Sequence, residues 1–143
     1  MASNIVLADA QATPVNHTFV PIGRDKNGVF WFEDQTAPSA VGFWKISVEL
    51  SRPGPATAKQ SSEGRTFRAK LGLHEPVLET VSNNTVTGVA PAPVISYVPR
   101  CFTDFVLPER ASYQNRKDLR KMMALLLADT QVVNVVEALV YIQ

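Results

Sequence analysis

The sequence predicts an α+β fold, an antiparallel sheet followed by two C-terminal helices. Two long central segments alternate apolar and polar residues with period two. From Asn115 onward the apolar residues fall at helical spacing instead. Strands first and helices last is the α+β order, and 143 residues fit one domain.

The opening strands are short. Residues 4–8 (NIVLA) and 17–22 (HTFVPI) are apolar runs, and Pro21 pushes the second toward a sheet edge. Asp25-Lys26-Asn27-Gly28 is a hairpin signal, because Asn-Gly accepts the positive φ of a tight turn. Val29, Phe30, Trp31 and Phe32 form the returning strand, and residues 36–39 a loop.

Residues 43–51 (FWKISVELS) and 65–74 (RTFRAKLGLH) are the clearest strands. Ile46, Val48 and Leu50 alternate with Lys45, Ser47, Glu49 and Ser51. Phe67, Ala69, Leu71 and Leu73 alternate with Thr66, Arg68, Lys70 and Gly72. Each strand therefore has one dry and one wet face. The loop between them (RPGPATAKQSSEG) is short, which favours antiparallel pairing and sets Lys45, Ser47, Arg68 and Lys70 side by side.

Residues 75–93 read as one long loop, with Pro76, Asn83, Asn84, Gly88, Pro91 and Pro93. Residues 94–107 (VISYVPRCFTDFVL) read as a third long strand, in which Pro99 demands an edge or a bulge. Leu119, Met122, Met123 and Leu126 define the first helix, capped by Asn115 with Asp118; Arg116, Lys117, Arg120 and Lys121 occupy its other face. Asp129-Thr130 breaks and re-caps. Residues 132–142 (VVNVVEALVYI) are apolar on nearly all sides, and their valines permit either a helix or a strand.

Two short helices are a small cover for this many strands, so the apolar C-terminal segment is expected to pack against a second copy of the chain.

Composition removes several classes. At 45% hydrophobic residues the chain can bury a core, and no apolar run reaches membrane-span length. The start, Met1-Ala2-Ser3-Asn4, carries no signal-peptide pattern, and one cysteine excludes an internal disulfide framework. Both suit a reducing cytoplasm. Net charge is +1, but residues 45–74 hold six bases against two acids. Concentrated positive charge is the footprint of a phosphate-binding surface, and equally of a plain solvated face.

No catalytic constellation, phosphate loop or dinucleotide fingerprint is visible, so no enzyme activity and no cofactor are expected. His17 and His74 lack metal-ligand spacing, so no metal is expected; His74 reads as a surface residue near the basic face. Cys101 reads as a core filler. Trp31, Phe43, Trp44 and Phe67 read as core or dimer contacts. Phe102 shares a face with Arg100 and Asp104, where it either stacks on a nucleic-acid base or is buried at an interface.

The order of motifs resembles the coat proteins of small single-stranded RNA bacteriophages, the levivirus family, especially a pseudomonad-infecting member. Arg116-Lys117-x-Leu119, Leu127, Gln131-Val132, Val135-Val136, Leu139-Val140 and Ile142 are similar to the family's C-terminal helices. Ile5-Val6-Leu7 is similar to its first strand, and Thr85-Val86-x-Gly88-Val89 with Pro93-Val94 to its long loop. Lys45-Ile46-Ser47-Val48 and Phe67-Arg68-Ala69-Lys70 resemble its RNA-facing strands.

The resemblance implies an N-terminal hairpin, a five-stranded antiparallel sheet and two helices, the last segment being helical. Residues 1–108 form the sheet region and 109–143 the helical dimerisation region of one domain. Two subunits interlock into a ten-stranded sheet, and dimers build a T=3 icosahedral shell in the host cytoplasm. The sheet faces the packaged RNA genome and also binds an RNA hairpin that represses replicase translation. The implied RNA-binding residues are Lys45, Ser47, Glu49, Ser51, Arg68, Lys70, Arg100 and Phe102. Glu49 departs from the family by placing a carboxylate where a small hydroxyl is usual, and Arg100 replaces a stacking tyrosine. A small non-viral dimeric RNA-binding regulator is the alternative reading.

Overall fold

The computed structural model describes residues 2–80 and 88–142. Strands β1 (Ile5–Ala8), β2 (Asn16–Arg24), β3 (Phe30–Asp34), β4 (Trp44–Ser51), β5 (Thr66–His74), β6 (Val77–Leu78), β7 (Ile95–Tyr97) and β8 (Arg100–Pro108) precede helices α1 (Tyr113–Leu127) and α2 (Thr130–Glu137). The α+β class is as expected, but the strand count differs. Six strands form one sheet in the order β1-β2-β3-β4-β5-β8, and β6 and β7 form a separate pair.

The chain divides into two compact units, Met1–Pro53 with Phe67–Val106, and Gly54–Thr66 with Leu107–Gln143. The first unit contains the core. Phe19, Phe32 and Ile46 are buried, with Ile5, Phe30, Trp44, Val48 and Leu73 packed against them. Ile46, Val48 and Leu73 come from the dry faces that period two assigns, whereas Leu50 and Leu71 on those faces are exposed.

Pro21 does not sit at an edge, since β2 lies between β1 and β3. Pairing with β1 ends at Phe19, and the register to β3 shifts between Pro21 and Gly23. The missing N–H therefore falls beside a bulge and beyond the end of the β1 pairing. The hairpin turn forms as expected. Gly28 takes φ +87°, and the Asp25 carboxylate accepts from Asn27 N at 2.8 Å and Val29 N at 3.0 Å.

Two segments differ from expectation. Residues 94–107 are not one strand: Val98 and Pro99 separate β7 from β8, because proline removes the donor that a continuous ladder needs. Nor are residues 75–93 loop throughout, because β6 pairs with β7 through Val77↔Tyr97 and Leu78↔Ile95. The Thr85-Val86 part of the expected family loop lies outside the described residues.

In the second unit Arg65 donates to Glu109 at 2.6 Å and to the Gly54 carbonyl at 2.6 Å. Helix α1 starts before Asn115. Ser112 is its cap, the hydroxyl accepting from Asn115 N at 3.1 Å, while Asp118 accepts from the Gln114 side chain at 2.7 Å. Asp129 caps α2 through Gln131 N at 2.9 Å. Helix α2 is shorter than expected. Leu139 takes φ 55°, and Asn134 O accepts from Ala138 N and Val140 N, so the chain turns out of the helix after Glu137.

Candidate nucleic-acid interface

The β4–β5 register is antiparallel and pairs Lys45↔His74, Ser47↔Gly72, Glu49↔Lys70 and Ser51↔Arg68. All eight residues share one face, since paired residues point the same way and alternate residues repeat it. On β8 the parity is set by Asp104, which accepts from Arg68. Arg100 and Phe102 therefore lie on this face too. Every site residue expected from the sequence falls on one surface of the first unit.

Three residues not assigned to the site also lie there. Trp31, on β3, pairs with Ser47, so it belongs to the wet face rather than the core. Its indole donates to Asp25 at 3.0 Å, which fixes the ring. His74 sits 5.7 Å from the Trp31 ring and 5.3 Å from Phe102, the latter edge-on. Gly72 lies beneath: a Cβ there would collide with Ser47 and come within 3.1 Å of His74 and Phe102. The missing side chain lets Ser47, His74 and Phe102 close over the strand, and beside them lies a depression of about 370 Å³ lined by Trp31, Ser47, Glu49, Lys70, His74, Phe102 and Asp104. Phe102 is 67% exposed and forms the lip.

The charge is more balanced than the sequence count implies. Lys45 pairs with Glu33 at 3.0 Å, Lys70 with Glu49 at 3.6 Å, and Arg68 with Asp104. Glu33 and Asp104 arrive from β3 and β8, outside the basic segment. Among the described residues, Arg100 is the cation of this face that forms no ion pair. Burial, with Arg100 and then Lys45 nearby, pushes the His74 imidazole below the ordinary histidine value, which favours the neutral ring.

Cys101 is exposed rather than buried. It lies on β8, which ends the sheet among the described residues. Among the described residues no cluster of His, Cys, Asp and Glu could hold a metal ion, and no helix is long and apolar enough to cross a membrane.

Residues 1–142 match the profile of the Levivirus coat protein family. The chain belongs to that family. This coat protein is 30% identical over 121 residues to the capsid protein of Pseudomonas phage PRR1, covering 85% of this chain and 81% of that one. Among solved structures, the virus-like particle of bacteriophage ESE058 superposes with a TM-score of 0.92 at 49% identity, covering 100% of this chain and 99% of that one. The virus-like particle of bacteriophage NT-214 superposes with a TM-score of 0.80 at 28% identity, covering 99% and 98%. The coat protein is thus a structural component of a virion, in a family of capsid subunits rather than enzymes.

Proposed function

We propose that this coat protein dimerises, assembles into a T=3 icosahedral shell in the bacterial cytoplasm, and packages single-stranded RNA against its sheet. The full chain acts as one coat domain, with a sheet region (1–108) and a helical dimerisation region (109–143). Two copies join into a ten-stranded sheet with interlocked helices. The same face, through Lys45, Ser47, Glu49, Ser51, Arg68, Lys70, Arg100 and Phe102, binds an RNA hairpin and represses replicase translation.

Support for the RNA role comes from that face, where four cations and an exposed aromatic ring stand on three adjacent strands. Cations hold phosphates and rings stack on unpaired bases. Support for assembly comes from the helices, neither of which has a buried residue. Contiguous exposed apolar surface marks an interaction site.

The test compares two charge-matched pairs. Replacing Arg68 and Lys70 with Ala weakens RNA binding and flattens its salt dependence by at most about two units. Replacing Arg120 and Lys121 with Ala on α1 changes neither by much. If the helix pair costs as much affinity as the strand pair, the sheet is not the RNA surface.

A further inference from the structure

We propose that His17 is a proton-operated latch that fastens the turn between β1 and β2 to the sheet and frees it when the imidazole is neutral. None of the residues involved belongs to the RNA-facing set, so the latch is independent of that reading.

Three elements hold the ring. Its face stacks on Trp44 of β4 with centroids 4.4 Å apart. Nδ1 lies 2.7 Å from the Asp34 carboxylate at the end of β3. Nε2 lies 3.5 Å from Asp9 Oδ2 in the turn after β1, within ion-pair range. The charges acting on the ring are Asp34 and Asp9, and a third carboxylate, Glu75, lines the cavity beside it.

The charged imidazole donates from both nitrogens and so serves both carboxylates. The neutral ring keeps a single N–H. Asp34 retains it, being the nearer acceptor and only 2% exposed. Nε2 then turns a lone pair toward Asp9, and an attraction becomes a repulsion between acceptors. Asp34 still holds His17, and still accepts from Thr36 N at 3.1 Å, so β2 and β3 stay joined. What is lost is the tie to the turn.

The turn can move as a piece. Asp9 accepts from Val15 N at 2.9 Å and from the Gln11 side chain at 2.6 Å, and its own N–H donates to the Val15 carbonyl at 3.0 Å. Little else holds β1. It makes four residue pairs with β2, ends the sheet among the described residues, and places Ile5 alone against the core. A short edge strand of this kind opens at low cost, so one ion pair weighs in the balance.

The experiment follows amide exchange of the full-length protein by mass spectrometry from about pH 6 to 9, with labelling times scaled for the base catalysis of exchange. Residues 4–10 are expected to lose about fivefold in protection as pH rises, while residues 44–51 keep theirs. The midpoint is expected to coincide with the His17 titration followed by NMR. Asp9→Asn is expected to remove the loss, because its amide donates to the lone pair of the neutral ring. A flat wild-type profile, equal losses in both segments, or a loss that persists in Asp9→Asn overturns the latch. Should Asp9→Asn fail to fold, a wild-type midpoint that departs from the His17 titration overturns it instead.

Discussion

His17 is the residue whose chemistry reaches furthest into the fold. It stacks on Trp44 with ring centroids 4.4 Å apart, and its Nδ1 lies 2.7 Å from the Asp34 carboxylate, which is 2% exposed. Asp9 stands 3.5 Å from the other ring nitrogen. The Asp34 hydrogen bond lifts the imidazole above its ordinary value, with Asp9 adding to it and burial opposing. Burial works against the Asp34 carboxylate, but hydrogen bonds from His17 and Thr36 outweigh it and hold the group low. A raised histidine stabilises the fold fully below its unfolded value of about 6.5 and loses that contribution as pH rises through the folded value. A lowered aspartate contributes above about 3.9 and fails as pH falls through its folded value. The pair is therefore strongest between those limits, and the melting temperature is expected to drop as pH rises past the neutral range. Near pH 6, His17→Ala leaves a buried carboxylate unpaired and is expected to cost about 3 kcal/mol. Melting curves from pH 5 to 9 check both points, and a variant that tracks the wild type at every pH contradicts them.

At the scale of elements, periodicity gave the faces and missed the ends. Lys45, Ser47, Arg68 and Lys70 could be put on one surface because period two fixes the face and a short loop fixes antiparallel pairing. The break at Pro99 was visible as a difficulty, but the pairing of β6 with β7 was not, since two-residue strands carry no period. The start of α1 lies at Ser112 rather than Asn115 because both residues can cap and only the fold decides which side chain meets a free N–H; the Ser112 hydroxyl accepts from Asn115 N. Ser112→Ala is expected to destabilise by about 1 kcal/mol, read from chemical denaturation. The helices also show what a single copy leaves unfinished. Met122 is 60% exposed, Leu125 62% and Val136 67%. Deleting residues 132–143 is expected to give insoluble protein, because an obligate interface resembles half a core. A soluble, folded monomer from that truncation contradicts the interlocked dimer.

For the whole molecule, charge was the least legible property. The count over residues 45–74 gave a strongly basic segment, but sheet order brings Glu33 beside Lys45 and Asp104 beside Arg68. Neither partner can be assigned before the order β3-β4-β5-β8 is known. The place of Trp31 is illegible for the same reason: it looks ordinary alone, and only the register sets it beside His74 on the wet face. Asp104→Asn frees Arg68 for phosphate and is expected to raise RNA affinity while steepening the salt slope by about one unit. Unchanged affinity and slope in filter binding contradict this. Shell assembly around RNA remains the central claim, and the mass and nucleic-acid content of the purified protein test it most directly. Light scattering after size exclusion, with absorbance at two wavelengths and nuclease treatment, is expected to give a megadalton particle whose RNA survives the nuclease. A species of one or two chains, free of RNA at every protein concentration, would contradict it.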